Sequence, residues 1–390
     1  MLAYPLNKWK KWSVDMNNKT KLIMEELKKA GFIKNDADLT ANVQTKMIFD
    51  YMVEHYSFLL DPMREVSLPD SYLNSGKFLH EIIMKFGKYF LKSPQIIENR
   101  AELLENDREV FPDECRQKLN LKVKIPNEPV VFLTNHGFKD DVLATLLAAQ
   151  RRAFIIFGSL PQFYGTIDGL LSAKNGVIMV DRKVDASKTS SVEKGKYALA
   201  HGMSLMVCPE GVWNKKPNGG MLEFWSGFYR MAQKEDGTFY PIVPIIHYIS
   251  NTYEGGKDNP IHTIVDDPII LDGMSPGEGI TYVRTRMLTW YWKLMEKYGC
   301  TNRESLLENY DNAVEAWEDE LRKRVATADR YDIEIETTAD KRRKDDLTAE
   351  QLLVWEPIAN LDENRYNCLD VEYARKLVKE IKQNDFQHRF

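Results

Sequence analysis

Cysteine is scarce in this chain, and what there is lies scattered. Cys115, Cys208, Cys300 and Cys368 are far apart, with no Cys-x-x-Cys pair among the four. That excludes the usual zinc-site spacing and a dense disulfide framework, and leaves free buried thiols as the expectation. Long apolar runs are missing too. No window approaches the roughly 18 apolar residues that a membrane-spanning helix needs, and the longest candidate, 142–149, is broken by Gln150-Arg151-Arg152. Lys8, Lys10 and Lys11 come early, but no apolar signal core follows them. Positive charge is not in surplus either: a net charge of −5 argues against a nucleic-acid binder. The seven histidines show no metal-ligand spacing, and His80-Glu81 lacks the second histidine of a zincin, so no metal is expected. The setting these absences point to is the cytoplasm.

What is present is ample material for a core. A hydrophobic content of 43% over 390 residues allows two or three domains. Residues 1–105 read as a helical region. Leu22, Ile23, Leu27 and Ala30 mark one amphipathic helix closed by Gly31, and Val43, Met47, Ile48, Tyr51, Met52, Tyr56 and Leu59 mark a second. Phe78, Leu79, Ile82, Ile83, Phe86, Tyr89 and Phe90 mark a third. Trp9 and Trp12 beside the early lysines have the aromatic-plus-basic composition of an interfacial anchor.

Residues 106–290 read as an α/β domain, because short apolar strands alternate with helices. The strands are expected at 130–133, 153–157, 177–180, 205–208 and 242–246. Ser190 and Glu193 have the spacing of a capping box that opens a helix through Ala200, which Gly202 ends. Pro244 argues for an edge or a strand terminus. Residues 291–390 form a helical extension, continuing the spacing of Met287, Leu288, Tyr291, Leu294 and Met295 and taking in Val314, Trp317 and Leu321. A charged stretch at 341–346 reads as a solvated linker.

One stretch carries chemistry: Asn135-His136-Gly137-Phe138-Lys139-Asp140-Asp141, placed between an apolar strand and an acidic helix start. A strand-to-helix turn is where α/β folds present ligand sites. On a continuous helix His136 and Asp141 would stand about 140° apart. Only a turn brings the carboxylate to the ring, and Gly137 makes such a turn easy. With Asp141 accepting a hydrogen bond from one ring nitrogen, the other can act as a base, and an ordinary imidazole pKa of about 6.5 suits that work. Asp140 at the alternative spacing would be a plain helix N-cap.

Three later stretches complete a pattern. Gly176-Val177-Ile178-Met179-Val180-Asp181-Arg182 ends a strand in an acid-base pair, Pro209-Glu210-Gly211 ends the next, and Tyr240-Pro241-Ile242-Val243-Pro244-Ile245 follows. With the histidine stretch, this ordered set resembles the four motifs of the glycerolipid acyltransferases typified by 1-acylglycerol-3-phosphate acyltransferase. The resemblance covers residues 125–275. It implies a glycerol-3-phosphate acyltransferase-like α/β domain with helical N- and C-terminal extensions. It also implies transfer of a fatty acyl group from acyl-coenzyme A or acyl carrier protein, as co-substrate and without a cofactor, to a hydroxyl of a glycerolipid or lysophospholipid-like acceptor at a membrane surface. His136 then looks like the general base and Asp141 its orienting partner, with no covalent acyl-enzyme. Arg182 matches the arginine that holds an anionic part of the acceptor, a role suited to its fixed fork. Glu210 and Gly211 match the motif lining the acceptor site, and Pro244 the pocket-shaping fourth motif.

The third motif departs from the family. Where the family has Thr-Arg-Ser, this chain has Val212-Trp213-Asn214, so a second phosphate-binding arginine is missing. Lys215, Lys216 or Arg230 could substitute electrostatically, although a lysine lacks the bidentate geometry, and Trp213 offers a face on which a different head group, such as a sugar, could stack. The altered motif motivates the alternative of a non-catalytic lipid-binding protein that keeps the fold. Two rival chemistries are weaker. Gly273-Met274-Ser275-Pro276-Gly277 matches a serine nucleophile elbow, but Pro276 lacks the N–H that the oxyanion hole requires, so the segment reads as a turn. Cys208 with His136 would make a thioesterase pair, but nothing marks that thiol as acidic.

Overall fold

The computed structural model describes residues 43–56, 59, 68–104, 123–138, 140–158, 163, 167–180, 185–211, 221–250, 256–298, 375 and 379. Trp9 and Trp12, the Leu22 helix, Asp181 and Arg182, residues 212–216, the Val314 helix and the 341–346 stretch lie outside the described residues.

The chain runs α1 (Val43–Tyr56), α2 (Asp70–Ser75), α3 (Lys77–Phe86), a 3-10 turn (Gly87–Tyr89), β1 (Gln95–Ile97) and α4 (Arg100–Leu104). It continues through β2 (Val131–Thr134), α5 (Asp141–Ala149), β3 (Ala153–Phe157), α6 (Ile167–Asn175), β4 (Val177–Met179), α7 (Asp185–Ala200) and β5 (Ser204–Val207). It then adds α8 (Gly227–Ala232), β6 (Ile242–Tyr248), β7 (Ile261–Val265) and α9 (Pro276–Tyr298). All seven strands join one sheet in the order β1-β7-β6-β2-β5-β3-β4. This is an α/β fold.

The five strands expected from sequence, β2 to β6, are mutually parallel neighbours. Every residue of β2, β5 and β6 is buried, which is why these strands read as unbroken apolar runs rather than alternating ones. β7 pairs antiparallel with β6, and β1 lies parallel to β7 at the edge. Leaving β2, the chain builds β3 and β4 on one side and later returns to lay β6 on the other. β2 is therefore where strand order reverses, and its carboxyl end is the natural ligand-binding position of such a sheet.

Two local expectations are corrected, and a third is sharpened. Pro244 lies inside β6, paired with Leu133 of β2, at neither an edge nor a terminus. The ring is tolerated because its missing N–H faces β7 just where that strand's pairing stops. The ladder begins at Ile245↔Val265, and beyond it Asp266 N–H donates to the Pro244 carbonyl at 2.9 Å with no bond required in return. Ser190 and Glu193 do not cap a helix start, since α7 begins at Asp185 and carries both within it. Nothing in Ala186-Ser187-Lys188-Thr189 breaks a helix, and Asp185 places negative charge in the first turn. Its far end does follow expectation: Gly202 takes φ +85°, with Gly202 N–H on the Leu199 carbonyl and Met203 N–H on that of Ala198. Finally, Ser275 is a helix cap. Its backbone N–H and hydroxyl both donate to the Glu278 carboxylate, at 2.9 and 2.6 Å, while the Glu278 N–H turns back to Ser275 Oγ and Pro276 opens α9.

Candidate active site

Past Thr134 the backbone leaves the sheet, but the Asn135 side chain continues the β2–β6 ladder. Its amide donates to the His247 carbonyl at 2.9 Å and its oxygen accepts the His247 N–H at 2.8 Å. Both orphaned groups of β6 are satisfied, and the next residue starts from a fixed point. His136 then turns back, and its Nδ1 lies 2.7 Å from Asp141 Oδ2. Asp141 occupies the first turn of α5, where the helix dipole favours negative charge. Its carboxylate is buried, whereas the His136 side chain keeps 30% of its surface exposed. Asp141 Oδ1 is buried with no hydrogen-bond partner among the described residues.

Gly137 is not what makes this turn. It adopts no left-handed conformation, and a Cβ placed on it would meet nothing within 4 Å. The turn is closed by Asp141 N–H on the Phe138 carbonyl at 3.4 Å. Asp140 stands at the N-cap position without capping; its carboxylate accepts the backbone N–H of Lys92 at 2.9 Å.

Glu210, at the carboxyl end of β5, is buried beneath the turn. One oxygen accepts the His136 N–H at 3.0 Å and the other the Leu222 N–H at 2.7 Å. The structure thus brings three of the expected residues, His136, Asp141 and Glu210, into one hydrogen-bonded set, with Gly211 next in the chain. Gly211 has φ +70°, and an added Cβ would stand 2.7 Å from the Trp225 ring. That ring is 57% exposed. Trp225 N–H reaches back to the Pro209 carbonyl at 2.9 Å, so the tryptophan closes over the Pro-Glu-Gly turn.

Sequence reasoning missed several of these partners. Arg230 is exposed on α8; the buried cation that reaches the third-motif region is Arg284 of α9, whose guanidinium donates to the Met221 and Leu222 carbonyls. His247 was missed as well. Buried at the carboxyl end of β6, it meets Thr145 Oγ1 through Nε2 and Thr263 Oγ1 through Nδ1, each at 2.8 Å. Thr145 in turn donates to the Asp141 carbonyl at 2.7 Å, linking this histidine to the first turn of α5. Burial lowers the His247 pKa to about 4, against a smaller opposing pull from Asp141, so the ring is neutral. Only the Asn-His adjacency at 135–136 hinted at this layer. The Cys208 thiol is pushed well above its ordinary pKa, first by burial and then by the charges of Asp141 and Glu210. A thiolate nucleophile is disfavoured there.

A largely parallel sheet thus presents a His–Asp pair at the carboxyl end of its switch strand. The acyltransferase family model matches residues 113–247, which hold the dyad, Glu210 and Gly211. Through that segment the chain is similar to the acyltransferase family. Among solved structures it is similar to the crystal structure of the 1-acyl-sn-glycerophosphate (LPA) acyltransferase PlsC from Thermotoga maritima. The two share 18% identity over 66% of this chain and 97% of that one, with a TM-score of 0.40. No curated protein matches the chain.

Proposed function

We propose that the protein transfers a fatty acyl group from an acyl thioester, carried by coenzyme A or acyl carrier protein, to a hydroxyl of a lysophospholipid-like or other glycerolipid acceptor. The observation that carries this reading is the 2.7 Å contact between His136 Nδ1 and a buried Asp141, at the carboxyl end of the switch strand and inside the acyltransferase segment.

In the proposed step the acceptor hydroxyl gives its proton to His136 Nε2 as its oxygen attacks the thioester carbonyl carbon. A C–O bond forms, the C–S bond breaks, and the departing thiolate takes the proton back from the imidazolium. Asp141 holds the ring in the tautomer that accepts at Nε2 and stabilises the imidazolium, which its otherwise unpaired Oδ1 charge favours. The raised Cys208 pKa favours direct transfer over an acyl-enzyme. Neither bond change calls for a metal or a cofactor. Arg182 is assigned to an anionic group of the acceptor. Gly211 is assigned to the lining of the acceptor site, and Glu210 fixes the His136 peptide from below. The setting this requires is the cytoplasmic side of a membrane, in lipid or phospholipid synthesis.

The test is thiol release from palmitoyl-coenzyme A by purified protein, with and without a panel of lysolipids, with the acylated product followed by mass spectrometry. Release that depends on the acceptor and is lost in His136→Ala is the expected result. Release indifferent to acceptor and to the substitution would sink the histidine-base mechanism.

A further inference from the structure

Both halves of the dyad are fixed against one residue of β6. On the His136 side, the Asn135 side chain holds the peptide N–H and carbonyl of His247, so the chain enters the turn from that residue. On the Asp141 side, the His247 ring meets Thr145 Oγ1 through Nε2 at 2.8 Å, and Thr145, one helical turn beyond Asp141, donates to the Asp141 carbonyl at 2.7 Å. Between the two, the Phe138 ring stands edge-on to the imidazole, with centroids 5.7 Å apart and planes at 88°. The stretch 135–141 is thus attached to His247 at its start, its middle and its end.

One tautomer satisfies the whole network. With the Thr145 hydroxyl proton on the Asp141 carbonyl, Thr145 Oγ1 accepts from His247 Nε2–H. Nδ1 is then the acceptor, and Thr263 Oγ1 gives it a proton across 2.8 Å while itself accepting from the Gln95 amide at 3.0 Å. A directed chain therefore runs from Gln95 through Thr263, His247 and Thr145 to the first turn of α5. Every position of β6 is buried, and an aliphatic residue would fill this one without taking a polar ring out of water. What the ring supplies is a defined register between α5 and β6, which a satisfied buried network confers and apolar packing leaves looser.

We propose that His247 is the positioning residue of the dyad: its main chain places His136, its side chain places Asp141, and the 2.7 Å contact between them depends on both. It acts only through Asn135, Phe138 and Thr145. That it serves acyl transfer rests on the proposed function; that it holds the dyad together does not.

The test compares wild type with His247→Phe, which keeps a ring against Phe138 but removes both polar ends. His247→Gln can still offer an N–H to Thr145 and an oxygen to Thr263. Thr145→Val cuts the link from the other side at nearly constant volume, and a His247→Phe/Thr145→Val double variant completes a cycle. The first readout is the His136 tautomer, by nitrogen NMR of the folded full-length chain at neutral pH. It is Nδ1–H in wild type and His247→Gln, and a mixture of both tautomers in His247→Phe and Thr145→Val. The second is acceptor-dependent thiol release. In those two variants kcat falls by up to about 10²-fold with KM unchanged, the loss expected of a misplaced catalytic group. The double variant is no worse than the poorer single one, and His247→Gln recovers most of the loss. A uniform Nδ1–H tautomer in His247→Phe overturns the proposal, as does an equal fall in all three single variants or an effect on KM in place of kcat. If His247→Phe does not fold, Thr145→Val against Thr145→Ser, which keeps the hydroxyl, makes the same comparison. A changed tautomer in a chain that transfers acyl groups to no acceptor leaves the positioning standing and removes the acyl-transfer reading.

Discussion

Glu210 Oε1 accepts the backbone N–H of His136 at 3.0 Å, so the carboxylate of the third motif holds the very peptide that carries the first. The other oxygen serves Leu222, leaving both oxygens committed to N–H donors. In Glu210→Gln one of those donors meets an amide N–H instead of an oxygen. We expect a loss of about 1–3 kcal/mol in stability, read as a lowered urea midpoint, together with a fall in acyl transfer. An unchanged midpoint would show that the carboxylate is not the strut described here.

Asp141→Asn keeps the volume of the buried side chain and removes its charge. The amide can present an N–H to His136 Nδ1 and favour the wrong tautomer, as well as leaving the imidazolium without its partner. Acceptor-dependent thiol release should drop by about 10²–10⁴-fold, the range typical for losing general-base action. Activity within a few-fold of wild type would mean that Asp141 is only structural.

Gly211→Ala tests the closeness of Trp225. The substitution combines a left-handed φ with a Cβ 2.7 Å from the indole, so the ring must move. A destabilisation of about 1–2 kcal/mol is expected, with a shift in tryptophan emission that is absent from a Trp225→Phe/Gly211→Ala double variant. An emission spectrum identical to wild type would contradict the packing.

His247 supplies a pH dependence of known sign. Desolvation holds its folded pKa near 4 against an ordinary 6.5, so between those values the unfolded chain binds the extra proton and the native one does not. Stability from this group is complete above pH 6.5 and declines as pH falls toward 4, by about 3 kcal/mol in all. The difference in unfolding free energy between wild type and His247→Gln should be flat at neutral pH and shrink across that acid window. A difference constant throughout would mean that the buried ring titrates normally.

Much of this was legible in the chain because it is local. The parallel strands β2 to β6 announce themselves as apolar runs, a direct result of burial on both faces. The dyad announces itself because its members lie five residues apart across a strand-to-helix boundary. β1 and β7 were not recognised. β1 is only three residues, and His262 and Thr263 of β7 look like solvent-facing positions yet are buried, with His262 paired to Glu98 at 2.6 Å. The supports of the site were hidden for a related reason. Asn135 with His247, Glu210 with Leu222, and Arg284 with the Leu222 carbonyl are specific pairings between distant segments, and no spacing rule encodes them. Pro244 misled because the rule against prolines in sheets concerns N–H donors that are needed, and here none is.

The edge strand β1 has a further consequence, for the order of assembly. Gln95 pairs with Ile261, so β1 cannot dock until nearly the whole sheet has been made and β7 laid down. The loop entropy of so distant a pairing places it late in folding. β2, α5 and β6, which bring His136 and Asp141 together, can meet before then. The ties of the preceding segment to α5, Lys92 N–H to Asp140 and the Gln95 amide to the Ala144 carbonyl, span only 48 and 49 residues and can form before that edge closes, so the last strand of the sheet to pair is one whose neighbourhood is already in place.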